Sequence, residues 1–183
     1  MRDPSRESLR QVLLKRRDAT SHEMLKIVSE SIRNILRGSS LFDDITNVGV
    51  YHAIGSEVMT SGIIQDLLGS GRNVFLPAIQ NNVIVFKNVH GIKDLIPGIF
   101  GIMEPRETCM TGRPNILLVP AVGATLSGIR LGYGHGYYDR YIQKNCPVTI
   151  CVTMDKQVVK KIPSNPSDAP MNWIVTESQL HRV

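Results

Sequence analysis

Apolar and polar positions along the chain switch between the two periods that helices and strands impose. From Ser5 to about Arg17, Leu9, Val12, Leu13 and Leu14 fall at helical spacing with no glycine or proline among them, which predicts a helix. At ~100° per residue, Arg6, Arg10 and Arg17 lie within about 40° of one another beside the arc of Leu9, Val12 and Leu13. The buried face of this helix therefore has a cationic margin. Thr20-Ser21-His22-Glu23 reads as a capping box that opens a second amphipathic helix through Leu25, Val28, Ile32, Ile35 and Leu36, which Gly38 can end.

Val48–Ala53 is strand-like, and after a Gly-Ser-Glu loop a helical stretch runs from Thr60 to Leu68. Asn73–Pro77, Val83–Phe86 and Ile116–Pro120 read as strands, with turns at Asn81-Asn82 and Asn88–Gly91. A helix is expected near Tyr137–Lys144 and a strand over Val148–Thr153. Past a loop at Pro163–Pro170, with its three prolines, a last short strand follows around Trp173–Thr176. Strands alternating with helices predict an α/β fold: a three-layer α/β/α domain with a mostly parallel central sheet and helices on both faces. Ligands of such sheets sit beyond the carboxyl ends of the strands.

Length and composition narrow the picture. At 183 residues and 20.3 kDa, residues 1–183 suit a single domain, and 42% apolar with 20% charged residues is ordinary for a soluble globular chain. Apolar runs such as Ile116–Val122 fall far short of the ~20 residues a bilayer span needs. Met1–Glu7 has mixed charge and no apolar core of a secretory signal, so the expected location is the cytoplasm. Cys109, Cys146 and Cys151 form no CxxC pair and read as reduced thiols. His22, His52, His90, His135 and His181 show no HxxxH or HExxH spacing, leaving a histidine metal site unsupported. A net charge of +5 favours anionic partners without choosing among nucleic acid, anionic lipid and a polyphosphate substrate.

The stretch GIRLGYGHGYYDRY, Gly128–Tyr141, is where chemistry concentrates. Glycines at alternate positions let backbone N–H groups approach a ligand, and a helix starting just after them points its positive end at the same place. Such glycines could serve only a tight turn. Yet Arg130 and Arg140 flank them, His135 sits between two of them, and Tyr133, Tyr137 and Tyr138 add flat faces with hydroxyl donors. Core packing alone would not need arginine on each side. Neither the GK[ST] of a Walker loop nor the GxGxxG of a dinucleotide site is present in this GxGxG.

The stretch resembles the G-x-R-L-G-x-G-x-G-Y-Y-D signature of the 5-formyltetrahydrofolate cyclo-ligase (methenyltetrahydrofolate synthetase) family. The resemblance extends over nearly the whole chain. Arg6-x-x-Leu9-Arg10, with Arg17 beyond it, is similar to the family's opening helix, and Tyr51–Thr60 to its strand with a Glu and a Thr. Phe75-Leu76-Pro77, Gly101-Ile102-Met103-Glu104-Pro105, Val119-Pro120, Gln157 and Ile162-Pro163 fall in the family's order. The resemblance implies an ATP- and Mg²⁺-dependent ring closure of 5-formyltetrahydrofolate to 5,10-methenyltetrahydrofolate, with release of ADP and phosphate. Carried over, it implies ATP contacts at Arg6, Arg10, Arg130, Leu131, Gly132, Tyr133, Gly134, His135, Gly136, Tyr137 and Tyr138. It implies folate contacts at His52, Glu57, Tyr133, Gly134, His135, Gly136 and Tyr137, with Arg130 and Tyr137 as the catalytic side chains. Asp139 and Asp168 match the family's magnesium ligands, and oxygen ligands suit that hard cation.

The chain departs from the family pattern at Met59, Ala121, Ala124-Thr125 and Asn172. A diverged member acting on another one-carbon carrier, a non-catalytic nucleotide-binding regulator and an RNA-binding module on the same scaffold are the alternatives. The last is motivated by the Arg2–Arg17 cluster, but no aromatic-basic strand motif of an RNA-binding sheet accompanies it. A monomer acting on small molecules, with no membrane or nucleic-acid partner, is the expectation.

Overall fold

Five strands run parallel in the centre of one eight-stranded sheet: β1 (Asn47–Gly49), β2 (Asn73–Gln80), β7 (Ile116–Pro120), β10 (Val148–Val152) and β11 (Trp173–Val175). The computed structural model describes residues 4–98, 102–163 and 165–183. Residues 1–3 of the opening segment, Gly101 of the Gly101–Pro105 marker and Ser164 of the proline-rich loop lie outside the described residues.

Strand order is β12-β11-β10-β7-β1-β2-β3-β6, where β3 (Val83–Val89), β6 (Thr111–Gly112) and β12 (Leu180–Arg182) are antiparallel to their neighbours. Two short ribbons stand apart: β4 (Leu95–Pro97) with β5 (Met103–Pro105), and β8 (Gly123–Ala124) with β9 (Arg130–Leu131). The mostly parallel sheet agrees with the alternating pattern, and its edges are where the antiparallel strands fall.

Successive side chains of a strand point to opposite faces, so the sheet sorts its own core. Val48, Val74, Leu76, Ile116, Leu118, Ile150, Val152 and Val175 face one side, where they meet Ile32 and Leu36 of α2 (His22–Arg37) and Ile63 and Leu67 of α3 (Ser61–Gly69). Phe75, Phe86, Leu117, Val119, Cys151 and Ile174 face the other, against Ile142 of α4 (Tyr137–Asn145). Helix α1 (Pro4–Asp18) buries Leu13 in a third cluster with Val122, Leu131 and Ile162. Among the described residues, no helix is long and apolar enough to cross a membrane.

Several boundaries differ from the periodicity reading, each for a local reason. The cap of α2 is Ser21, whose hydroxyl accepts from Met24 N–H at 3.2 Å, while Thr20 donates to the Arg17 carbonyl; the cap thus lies one residue later than expected, and with Met24 three residues on the expected Thr20–Glu23 capping box does not form. β1 ends at Gly49, not Ala53, because Tyr51 turns its carbonyl to the Thr60 hydroxyl at 2.6 Å and its own hydroxyl to the Val58 carbonyl at 2.9 Å. β3 runs through Asn88 and Val89, which pair with Phe75 and Val74, so the turn expected at Asn88 starts later. The Asn81-Asn82 turn is as read: both residues have positive φ, 48° and 60°, the geometry of a two-residue hairpin. β4, β5, β6, β8, β9 and β12 are two or three residues each, too short to show a period.

Candidate active site

The chain leaves the sheet at the carboxyl ends of β1 and β7, and a cleft of about 640 Å³ opens there. Its floor is the glycine loop. Arg130 reaches it from β9, which pairs with β8 directly after β7. The Arg130 guanidinium is buried: Nη2 donates to Asp139 Oδ1 at 2.8 Å, Nη1 reaches the Pro120 carbonyl at 3.5 Å, and Nε has no partner. Beyond the glycines α4 begins at Tyr137; the residue at its N-cap, Gly136 at φ 67°, has no side chain to cap it, so the amide groups of the first turn are left to solvent or ligand. Tyr137 donates to Asn82 Oδ1 at 2.8 Å, tying the loop to the β2–β3 turn, while His135 stacks on its ring at 5.8 Å. Arg140, 5.1 Å over the same ring, donates to the His135 carbonyl.

Glu57 stands on the opposite wall, buried with 5% exposure. Its Oε2 accepts Ile54 N–H at 3.0 Å and its Oε1 the Tyr133 hydroxyl at 3.1 Å. Burial pushes its pKa up, opposed by the Ile54 hydrogen bond, the Arg17 charge and the Tyr133 hydroxyl. Burial and the Glu57 charge together push Tyr133 up to about 12, so it stays a hydroxyl at neutral pH. His52, beside Tyr51, keeps an unpartnered buried Nδ1, and burial lowers its pKa, so its neutral imidazole is favoured. Ile54, Ile79, Ile84 and Ile102 complete an apolar side.

Helix α1 closes the third side. Arg6 holds Asp168 bidentately, Nη1 to Oδ2 at 2.7 Å and Nη2 to Oδ1 at 3.0 Å, with Nη1 also on the Pro163 carbonyl at 2.6 Å. Arg10 braces the glycine loop through Nε to the Gly132 carbonyl at 2.8 Å and pairs with Glu7 at 2.5 Å.

Thus Arg6, Arg10, His52, Glu57, Arg130, Gly132, Tyr133, Gly134, His135, Gly136, Tyr137, Tyr138, Asp139 and Asp168 all line one cleft. Leu131 does not. Its side chain is fully buried with Leu13, Val122 and Ile162, because the residue after Arg130 on a strand must point to the other face. Sequence reasoning missed the isoleucine wall, scattered over two strands and two loops, and the buried contacts of Arg17, whose Nη2 donates to the Tyr133 hydroxyl at 2.7 Å and Nε to Ser56 Oγ at 2.9 Å.

The departures from the family pattern do not line the cleft. Ala121 and Ala124 are buried in the core, and Thr125 holds its turn by accepting Ile129 N–H. Asn172 accepts both the amide and the hydroxyl of Thr149, at 2.8 and 3.0 Å, joining the segment before β11 to β10. Met59 packs under α2 and α3.

Fold and cleft together define an α/β enzyme with its site at the carboxyl ends of parallel strands, and comparison with known proteins makes it a ligase. The chain belongs to the 5-formyltetrahydrofolate cyclo-ligase family, whose model matches residues 2–177. The 5-formyltetrahydrofolate cyclo-ligase of Mycolicibacterium smegmatis is 28% identical over 183 residues, covering 94% of this chain and 93% of that one. The Escherichia coli K12 enzyme of the same name is 31% identical over 145 residues, 73% of this chain and 79% of that one. The NMR structure of Aquifex aeolicus 5,10-methenyltetrahydrofolate synthetase superposes with a TM-score of 0.88 at 30% identity, over 97% of this chain and 92% of that one.

Proposed function

We propose that this protein closes the ring of 5-formyltetrahydrofolate to give 5,10-methenyltetrahydrofolate, using ATP and Mg²⁺ and releasing ADP and phosphate. The observation that carries the reading is one cleft with a glycine loop and buried Arg130 at one wall and buried Glu57 at the other. The first suits a polyphosphate and the second the N–H donors of a pterin ring.

A formamide oxygen is a poor leaving group. Transfer of the γ-phosphoryl group to that oxygen releases ADP and activates the formyl carbon; N10 then attacks it and gives up its proton, the C–N bond forms, and the C–O bond breaks as phosphate departs. Phosphoryl transfer asks for position and positive charge more than for a nucleophilic side chain. Loop N–H groups and Arg130 would hold the phosphates, Glu57 and the apolar wall would hold the pterin, and Tyr137 would stand between them as part of both subsites.

The donors present fit magnesium as an ion shared with substrate. Among the described residues there is no cluster of three or more His, Cys, Asp or Glu that could cage a metal. Asp139 and Asp168 line the cleft, each already bonded to an arginine, and Mg²⁺ commonly takes one or two carboxylates together with waters and substrate phosphates. Bound there, the ion would neutralise charge on the phosphates. The test mixes protein, 5-formyltetrahydrofolate and Mg-ATP and follows methenyl absorbance. Product that appears only with ATP is expected; nucleotide binding without product would leave a regulator rather than a ligase.

A further inference from the structure

We propose that Arg17 is the positioning residue of the folate end of the cleft, holding the Glu57 carboxylate and the Tyr133 hydroxyl in the charge state and orientation that accept ring N–H groups. The proposal rests on the reading that Glu57 meets the pterin. Arg17 is 4% exposed and does not line the cleft, so it acts through the two residues that do.

Donor direction fixes the relay. A guanidinium only donates, and a tyrosine hydroxyl has one proton. Arg17 Nη2 donates to the Tyr133 oxygen at 2.7 Å, so the Tyr133 proton is free to go to Glu57 Oε1, 3.1 Å away. Arg17 Nε donates to Ser56 Oγ at 2.9 Å, and Ser56 in turn donates to Asp18 at the end of α1. This pins the segment that carries Glu57. The remaining nitrogen, Nη1, lies 4.0 Å from Glu57 Oε1 with no hydrogen-bond partner although it is buried. A side chain kept only for packing would not need a buried cation here, whereas a carboxylate that must stay ionised in a dry wall does.

Among the described residues, the charged and titratable groups facing Glu57 are few. Arg17 approaches from α1, with Asp18 reached through Ser56; Tyr133 comes from the glycine loop, Tyr51 from the segment after β1, and Tyr138 from α4. Arg17 is the cation among them. Burial already pushes the Glu57 pKa up and the Arg17 charge opposes this. Removing that charge moves it further up, so the acceptor form is lost at a higher pH as pH falls.

The experiment compares wild type with Arg17→Met and Arg17→Lys, after thermal melts confirm folding. A ¹³C-detected titration of Glu57 in ligand-free protein should move up by about 1–3 units in Arg17→Met and stay near wild type in Arg17→Lys. KM for 5-formyltetrahydrofolate at pH 6 should rise about tenfold or more in Arg17→Met while KM for ATP changes less than about twofold. A Glu57 midpoint that does not move, or parallel rises in both KM values at every pH, overturns the proposal. If wild type turns over no formylated folate, it is the ligand reading that has failed, and the Glu57 midpoint alone decides whether Arg17 holds it. Should Arg17→Met not fold, Tyr133→Phe removes the hydroxyl that Arg17 orients onto Glu57: a Glu57 midpoint that moves up in ligand-free protein supports the relay, and one that does not move overturns it.

Discussion

Two alanine substitutions four residues apart should separate what the glycine loop does for the fold from what it does for the site. A Cβ on Gly132 would lie 2.8 Å from Arg130 Nη1, and ordinary contact begins at 3.4 Å, so the guanidinium must retreat by about 0.6 Å. Arg130 has little room to do so, because Nη2 is fixed on Asp139 and the side chain is 5% exposed. A misplacement of ~1 Å in a reacting site costs about a hundredfold, so about tenfold lower kcat/KM for ATP is expected for Gly132→Ala. Gly132 has no positive φ, and alanine there restricts the unfolded chain, a gain of about 0.4–1 kcal/mol; Tm should hold or rise slightly. Gly136→Ala inverts the pattern. Its φ of 67° is left-handed, which costs an alanine about 1–2 kcal/mol, or a Tm drop of roughly 2–8 °C. The added Cβ meets only Arg140 Nη1 at 2.9 Å, the end of an exposed and flexible side chain, so activity should fall less. Steady-state kinetics and thermal melts on both variants are the assay. Full activity in Gly132→Ala, or a larger loss of Tm there than in Gly136→Ala, would show that Arg130 is not confined by the loop backbone in this way.

Two further outcomes follow from burial and charge. Cys151 is fully buried and desolvation pushes its thiol up to about 12, whereas Cys146 is exposed; a thiol reagent at pH 8 should modify Cys146 and reach Cys151 only after denaturation. Asp66→Asn should cost only about 0.5 kcal/mol in denaturant melts, because its bidentate pair with Arg33 is partly solvated, at 27% and 31% exposure. The Arg33 hydrogen bond lowers the Asp66 pKa, so this contribution is present above the ordinary carboxylate value and is lost as pH falls below about 4; a difference between the two proteins that persists at pH 2 would rule the pair out as its cause.

What sequence could show about the fold was set by length. Strands β2, β3, β7 and β10 and helices α1 to α4 carry enough residues for a period to register, and β7 falls where its apolar run lies, Ile116–Pro120, whereas β1 and β11, three residues each, were legible only inside the longer runs Val48–Ala53 and Trp173–Thr176. Strands of two or three residues carry none, and β9 matters most among them, since pairing with Gly123–Ala124 is what aims Arg130 into the cleft and Leu131 away from it. The β1 boundary failed for another reason. Val50 and Tyr51 look like strand continuation, and only the Thr60 hydroxyl on the Tyr51 carbonyl, nine residues on, shows that the chain has left the sheet.

For the site, residue types were legible and pairings were not. A net charge of +5 suggested a basic surface for anions, yet the described lining of the cleft holds four arginines (Arg6, Arg10, Arg130, Arg140) and four carboxylates (Glu57, Glu104, Asp139, Asp168). With neutral histidines these cancel, so the chain's excess positive charge lies outside the cleft. Arg6 and Asp168 are 162 positions apart and Arg17 and Tyr133 are 116, distances at which no spacing rule operates. Preference for a polyphosphate here must then come from direction rather than from net charge: amide groups exposed at glycines and guanidinium edges already oriented by their acids. An arginine held by a carboxylate costs less reorganisation when a phosphate arrives than a free lysine would, which is the same preorganisation that makes oriented donors effective in a dry site.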